Sequence, residues 1–310
     1  MALSVNEIEA LTLDYWEPGS HDQFFRHNVL AYRLLRKGKK FDGGKKLRVQ
    51  VFYGQPQGGT FNAASTFKTA KVEEHTSAFW NQAAYYEYTT YDFDDQTQNA
   101  GEAQQIDLVM DKLDKLADKI KWNMADDIYT STGYGPNGRS IVGLLGMIGT
   151  GTYGEIAPAD LAEWTAGSIV TTSEPLTFNV IRALRTAFKV GLSGEKPQLF
   201  PTTDTLLDHL KSLLQPSMRY EDAEMADVGF TNIAFETNGT IVADYKCPSG
   251  YLFGLNENQL DFKSHKDFFF KREPWKEPYD KPFYTTRLIW VGQLLCKRRN
   301  AHGYHSNLTT

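Results

Sequence analysis

The chain has 310 residues, 41% hydrophobic and 23% charged, and its formal net charge at pH 7 is -5. This composition is typical of a globular protein and excludes a disordered chain, a collagen-like repeat and a coiled coil. The longest apolar runs, such as 141–148, are broken by glycine and fall short of the roughly 20 residues that cross a bilayer. The acidic first sixteen residues lack the basic start of a secretion signal, so we expect a cytosolic protein without a membrane span.

The negative net charge argues against a protein that coats nucleic acid, because such coating needs dense lysine and arginine. Basic clusters do occur at 36–40, 45–48 and 297–299. We interpret them as solvated or subunit-facing surfaces.

No metal or cofactor site is predicted. The two cysteines, Cys247 and Cys296, form no zinc-binding pattern and are predicted to be buried thiols. His302 and His305 lack further ligands at zinc-site spacing. The acidic groups at 92–95 and 221–227 lack the glycine turn and final glutamate of a calcium loop. The asparagine of the formal glycosylation sequon 307–309 has no role in a cytosol.

The chain begins with an arm and a short helix. Residues 1–19 predict an arm that lies on another surface. Residues 20–38 predict an amphipathic helix, capped by Ser20 and ended by Gly38.

A long hairpin is predicted next. Residues 47–53 alternate apolar and polar side chains, glycines at 54–59 supply turns, and 79–91 forms a second, aromatic strand. Residues 47–95 contain eleven aromatic side chains. A two-stranded ribbon is marginal alone, so something else must bury them. We predict that a neighbouring copy of the chain does so; a hairpin packed on its own domain stays open as the alternative.

The clearest helix covers 100–130 and would be a rod of roughly 45 Å. Its apolar stripe predicts burial of Leu113 and Ile120 within the subunit. The stripe as a whole comprises Ile106, Met110, Leu113, Leu116, Ala117, Ile120, Met124 and Ile128.

After a glycine-rich connector at 133–154, helices alternate with strands. Helices are predicted at 158–166, 177–189 and 203–214, and strands at 197–201, 230–235, 240–245, 251–255, 259–262 and 287–296, with a hairpin turn at 238–239. Helices among antiparallel strands predict an α+β protein and not a parallel βαβ repeat.

Residues 149–154 match the glycine pattern of a dinucleotide-binding loop. Their surroundings do not match, because Gly143 and Gly146 interrupt the preceding run and Pro158 follows within four residues. A flexible connector is favoured, and a nucleotide-binding enzyme is kept as an alternative of another class. No nucleophile, base and orienting group form a catalytic arrangement, so no enzyme is predicted.

The order of elements resembles a tailed-phage major capsid protein of the Hong Kong 97 type. The matching segments are GGKKLRVQVFYG at 43–54, IVGLLGMIGTGTYGEIAPADLAEWTAG at 141–167, DYKCPSGYLFGLNENQLDF at 244–262 and TTRLIWVGQLLCKRRNAHG at 285–303. The resemblance covers nearly the whole chain and implies the α+β fold of that family.

The resemblance implies four parts. They are an N-terminal arm and helix at 1–40, an extended loop at 41–99, a peripheral domain at 100–134 and 282–310 with the spine helix and a returning strand, and an axial domain at 135–281. Only about 20 residues precede the first helix, too few for the N-terminal scaffolding extension that some members of the family carry. The resemblance therefore implies that the scaffold is a separate protein or a segment that has been removed.

The resemblance also implies a shell of hexamers and pentamers in a virion, assembled in the bacterial cytoplasm around double-stranded DNA bound without sequence specificity. A scaffolding protein, a portal protein and a decoration protein are the implied partners. An encapsulin-like compartment is the alternative within this fold. The predicted contacts between subunits are Gly43, Gly44, Phe61, Phe67, Trp80, Tyr86 and Trp164.

Overall fold

The computed structural model describes residues 28–54, 58–62, 66, 71–92, 108–133, 139–187, 196–213, 232–235, 239–277 and 283–310. The helices in these residues are α1 (Val29–Arg36), α2 (Leu108–Thr130), α3 (Leu144–Met147), α4 (Phe178–Ala187) and α5 (Asp204–Leu213). The strands are β1 (Lys39–Phe41), β2 (Lys46–Phe52), β3 (His75–Asn81), β4 (Ala83–Asp92), β5 (Ser168–Val170), β6 (Glu174–Pro175), β7 (Leu199–Thr202), β8 (Asn232–Phe235), β9 (Gly239–Ala243), β10 (Leu252–Gly254), β11 (Leu260–His265), β12 (Lys271–Arg272), β13 (Phe283–Cys296), β14 (Gly303–His305) and β15 (Leu308–Thr309).

The long strand β13 organises the first sheet. It pairs antiparallel with β4 from Phe283 opposite Asp92 to Gly292 opposite Ala83. It also pairs with β11 and β12, and β1 joins the free side of β11 in parallel. Helix α2 packs on one face of β4, where its polar side chains bind those of the strand.

The second sheet has the order β5, β14, β10, β7, β9, β8, and α4 and α5 cover a separate apolar cluster beneath it. Strands β7 and β9 are parallel, as are β5 and β14. The sheet therefore mixes directions, whereas the sequence predicted antiparallel neighbours. Helix α5 lies between β7 and β9 in the chain, as a parallel pair requires a crossover connection.

Helix α1 is fixed to the body by its two ends. Near its N-terminus the backbone N–H of Leu30 donates to Oδ2 of buried Asp244 at 2.9 Å. At the other end Arg33 and Lys37 both bind Glu257, at 2.6 and 2.5 Å. The carboxylate near the helix start and the cations near its end both complement the helix dipole.

Most predicted elements are present. Helix α1 agrees with the C-terminal part of the helix predicted at 20–38, whose first residues lie outside the described ones, as do residues 100–107 of the long helix. Helices α4 and α5 are confirmed, and β8 pairs antiparallel with β9 as the predicted hairpin requires. Among the described residues, no helix combines the length and apolarity needed to cross a bilayer.

Two predicted elements are wrong. Residues 158–166 form turns instead of a helix: the backbone N–H of Asp160 donates to the carbonyl of Ala157 and that of Trp164 to the carbonyl of Leu161, so these bonds close separate turns. The strand predicted at 79–91 is two strands separated by Gln82. Its first part pairs with β2 and its second part with β13, so the chain changes partners there.

Burial along α2 follows the predicted stripe, with one correction. Leu116, Ile120, Met124 and Ile128 are buried, and Ile120 is fully so. Leu113 is only partly buried at the edge of the core, so the prediction of full burial is wrong for this residue.

This difference gives a stability prediction. Ile120→Ala removes a fully enclosed side chain and is expected to lower the free energy of unfolding by about 2 to 5 kcal/mol, with a smaller loss for Leu113→Ala because solvent already reaches that site. Urea denaturation of the unassembled subunits measures both. Equal losses would contradict the assignment of Leu113 to the core edge.

Candidate assembly surfaces

The base of the β2–β3 hairpin packs on its own subunit. The strands pair from Lys46 opposite Asn81 to Phe52 opposite His75. Leu47, Val51, Ala78 and Trp80 point to one face and are all buried in the main core. For Trp80 the alternative of a hairpin packed on its own domain therefore applies. Phe52 at the end of β2 is 60% exposed, so its burial by a neighbour stays a prediction.

Two tryptophans predicted as contacts between subunits lie in the interior. Trp80 is 4% exposed and Trp164 is 3% exposed. Tyr153 lies between them, with its ring centroid 5.2 Å from that of Trp80, and its carbonyl accepts from Nε1 of Trp164 at 2.9 Å. Side chains enclosed in this way have almost no surface to offer a neighbour, which corrects the prediction for both residues.

Gly154 allows the close contact between the hairpin and the connector. Its φ is +62°, and a Cβ there would lie 2.8 Å from Cβ of Ala78 and 2.8 Å from Cζ2 of Trp80. Its carbonyl accepts from the backbone N–H of Phe79 at 2.9 Å. Any larger residue would push the hairpin base away.

Arg299, just after β13, is the centre of this region. Its side chain is buried and donates to four backbone carbonyls, those of Met147, Gly149, Gly151 and Trp164, at 2.7 to 3.0 Å. The guanidinium carbon also lies 5.1 Å from the ring centroid of Tyr153. Burial lowers the pKa of Arg299, and the carbonyl oxygens offset the hydration that the cation loses.

The glycine pattern at 149–154 thus serves the opposite electrostatic purpose from a nucleotide loop. A phosphate-binding loop directs backbone N–H groups at an anion. Here the carbonyls of Gly149 and Gly151 point at a cation, and no helix begins at Gly154. This geometry contradicts the nucleotide-binding alternative.

An exposed aromatic face lies on β4, opposite α2. Inward, the Tyr85 hydroxyl donates to Oδ2 of Asp127 at 2.5 Å, and burial, with this bond, raises the pKa of Tyr85. Outward, Tyr86 and Tyr88 are 60% and 62% exposed. The register places Ile289 and Arg287 of β13 beside them on the same face. We define the outer face as these four residues, Tyr86, Tyr88, Arg287 and Ile289.

The remaining predicted contacts are in different places. Gly43 and Gly44 are exposed in the turn before β2, with φ of +152° and +128°, and the Gln82 side chain donates to the carbonyl of Gly44. Phe61 is 70% exposed. Phe67 lies outside the described residues. The role of these residues and of Tyr86 between subunits stays a prediction.

Sequence reasoning missed Arg299 as an organising residue. It treated residues 297–299 as one basic surface cluster, although Arg299 is 1% exposed. No local pattern distinguishes Arg299 from its exposed neighbours Arg298 and Asn300.

Arg299 gives the second prediction. Arg299→Lys keeps the charge but cannot reach four carbonyls with one ammonium, so buried acceptors lose their donors. We expect a loss of at least about 3 kcal/mol in the free energy of unfolding, while the exposed neighbour change Arg298→Lys has little effect. Denaturant titration of both variants decides it, and an Arg299→Lys subunit as stable as the parent would show that the four hydrogen bonds are dispensable.

Solved structures similar to this chain match it over nearly its whole length. The chain is similar to the cyanophage A-1(L) capsid subunit, with a TM-score of 0.72, 15% identity and coverage of 98% of this chain and 99% of that one. It is also similar to the capsid of a native GTA particle (TM-score 0.67, 10% identity, coverage 99% and 100%) and to the holo-SrpI encapsulin complex of Synechococcus elongatus (TM-score 0.60, 11% identity, coverage 99% and 96%).

No protein-family model matches the sequence, and no curated protein sequence matches it. The likeness is therefore one of structure at low identity, and it extends over nearly the full length of each chain. The predicted fold class is confirmed: this α+β chain has the Hong Kong 97-type fold of tailed-phage capsid proteins.

Proposed function

We propose that this chain is the major capsid protein of a tailed bacteriophage, which assembles into an icosahedral shell around double-stranded DNA. The observation that carries the proposal is the end-to-end likeness to the cyanophage capsid subunit. A full-length match leaves no described domain over for another activity, so the role we propose is structural and not enzymatic.

The chemistry of the subunit supports a role in assembly. Within the described residues, the hairpin base, α2 and β13 share one apolar cluster. The outer face nevertheless leaves two large tyrosines in solvent. Exposed aromatic residues beside arginine are typical of protein–protein contacts, and hexamers and pentamers of the chain would provide such contacts.

We also propose the domain division implied by the resemblance. The peripheral domain at 100–134 and 282–310 is supported by the direct contact of α2 with β13. Strand β4, which comes from the 41–99 segment, packs on α2 and pairs with β13. The axial domain at 135–281 contains much of the second sheet. Scaffolding, portal and decoration proteins, and assembly in the host cytoplasm, belong to the same proposal.

An encapsulin-like compartment is the second candidate, because the encapsulin of Synechococcus elongatus has a similar fold over 96% of its length. The two candidates differ in what the shell contains. A phage shell encloses nucleic acid, whereas a compartment encloses protein.

Expression of the chain alone and with its neighbouring genes, followed by electron microscopy, tests the proposal. We expect closed particles that, in infected cells, protect double-stranded DNA from nuclease. Particles that contain a cargo protein and no DNA would favour the compartment. A chain that stays monomeric with its neighbouring gene products would contradict both.

A deletion in the hairpin tests whether folding and assembly depend on different parts of the chain. Replacing residues 55–74 with a short Gly-Ser turn keeps both paired strands and the buried base. We therefore expect a folded monomer with unchanged helix content that forms no shells, since each copy loses the same contact surface. Circular dichroism and sedimentation on one preparation measure this. An unfolded protein would place the removed segment in the subunit core, and normal shells would make it dispensable.

A further inference from the structure

The C-terminal segment, residues 303–310, lies beside the chain that runs from β5 to β6. Strand β14 pairs in parallel with β5, and β15 pairs in parallel with β6. Between these two pairs, the backbone N–H of Ser306 donates to the carbonyl of Val170 at 2.8 Å, and Nδ2 of Asn307 donates to the carbonyl of Thr171 at 2.9 Å. The segment is therefore joined along its length to residues 168–175.

The far end of the segment belongs to the second apolar cluster, in which Leu308 and Leu176 are both buried. The backbone N–H of Leu308 donates to the carbonyl of Gly250 at 2.9 Å, and that of Leu176 donates to the carbonyl of Thr309 at 3.0 Å. Helix α4 begins at Phe178, two residues after Leu176. The segment thus also fixes the chain that leads into α4.

One side-chain contact connects the two pairs of strands. Oε1 of Glu174 in β6 lies 2.6 Å from Nε2 of His305 in β14. The other ring nitrogen, Nδ1, lies 2.9 Å from the carbonyl oxygen of Ser306. The His305 side chain is only 3% exposed, so water has little access to replace a partner that the ring loses.

Both ring nitrogens of His305 therefore face acceptors. A carbonyl oxygen has no hydrogen to donate, so Nδ1 has to carry a proton, and an ionised carboxylate only accepts, so Nε2 has to carry one as well. A neutral imidazole has a single N–H and would turn a lone pair toward one of the two oxygens. The geometry fits the imidazolium ion, and the short distance to Glu174 is that of a charge-assisted hydrogen bond.

We propose that His305 is a pH-sensitive latch on the C-terminal segment, closed while the ring carries both protons and open after one has left. The proton goes to solvent, the imidazolium becomes a neutral imidazole, and repulsion between a lone pair and an oxygen replaces one hydrogen bond. Histidine is the side chain that ordinarily changes charge between about pH 5 and 8. The latch is therefore closed in mildly acidic solution and opens as the pH rises. This inference concerns the single subunit and goes beyond the proposed function.

The elements packed against His305 supply few other charges. In the sheet, β5 and β10 place Val170 and Leu252 opposite it. Helix α4, which contacts β14, carries Arg182 and Arg185. Their guanidinium groups stay charged throughout this pH range, so they do not titrate with the ring.

The titratable neighbours along the chain keep their charge state as well. Burial lowers the pKa of His302 to about 3, which leaves this ring neutral, and burial raises the pKa of Tyr304. Glutamate ordinarily titrates near pH 4, below the range in question. Among the described residues of these elements, the change of charge between pH 5 and 8 thus falls to His305.

Hydrogen exchange of the unassembled full-length subunit tests the latch. The reporters are the backbone amides of Ser306, Leu308 and Leu176, whose hydrogen bonds hold the segment. After correction for the intrinsic effect of pH on exchange, we expect their protection to fall at least about tenfold between pH 5.5 and pH 8.5. Protection that stays constant over this range would overturn the proposal.

The variant Glu174→Gln separates a latch from a merely structural contact. The glutamine amide both donates and accepts, so it can bond to the neutral ring as well as to the charged one. We expect the segment to stay protected at pH 8.5 in this variant, with less than about a twofold change across the range. A loss at pH 8.5 as large as that of the wild type would contradict the latch.

The variant His305→Gln removes the titrating ring and should make protection independent of pH. The matched control is His209→Gln in α5, a helix of the same apolar cluster, and it should keep the wild-type dependence. A dependence that survives His305→Gln would assign the titration to another group and overturn the proposal. If His305→Gln does not fold, the test rests on Glu174→Gln, which alters a side chain that is 41% exposed.

The protonation of the ring can also be read directly. Nitrogen chemical shifts of histidine-labelled protein distinguish two protonated ring nitrogens from one, and the His305 signals are those missing from His305→Gln. We expect both nitrogens to be protonated at pH 5.5 and one at pH 8.5. A neutral ring at pH 5.5 would overturn the proposal. None of these measurements requires shells, so they fail or succeed separately from the proposed function.

Discussion

The subunit depends on one buried cation. Arg299 lies where the longest strand ends, and its four hydrogen bonds hold the connector from Met147 to Trp164 against that strand. The connector then holds the hairpin, through Tyr153 and Gly154 against Trp80. Three parts of the chain that are distant in sequence are thus oriented by a side chain that has no carboxylate partner in the described residues. Neutral carbonyl dipoles compensate its charge, so the contact is specific in direction and weakly affected by salt.

Much of the fold could be predicted because it follows from local periodicity. The apolar stripe of α2 repeats with the period of a helix, and the alternation of apolar and polar residues in β2 repeats with the period of a strand. The apolar run in β13 also marks a strand in the sequence. The arrangement of the connector could not be predicted in this way. Turns replace the helix predicted at 158–166, and the Trp164 carbonyl there accepts a hydrogen bond from Arg299 across 135 positions, a contact that no local pattern contains.

The predicted contact residues show the same division. An exposed aromatic residue and a buried one look alike in an alternating strand, and only the partner surface decides between them. Tyr86 and Trp80 both come from the aromatic stretch between 79 and 91. The change of strand partner at Gln82 puts Trp80 against the connector and leaves Tyr86 in solvent. The motif at 149–154 was similarly ambiguous, because glycine spacing does not reveal whether N–H groups or carbonyls face inward.

A shell protein has to be stable alone and still bind its copies reversibly during assembly. The described residues separate these tasks by the type of interaction. Inside the subunit, apolar packing and the fully bonded Arg299 are shielded from solvent and from counterions. On the surface, exposed cations such as Arg36 and Lys40 carry charges whose interactions beyond about 10 Å are screened at 0.1 M salt. Salt therefore screens the surface charges far more than the contacts of the core. Under the proposed function, it would weaken association between copies while each subunit stays folded.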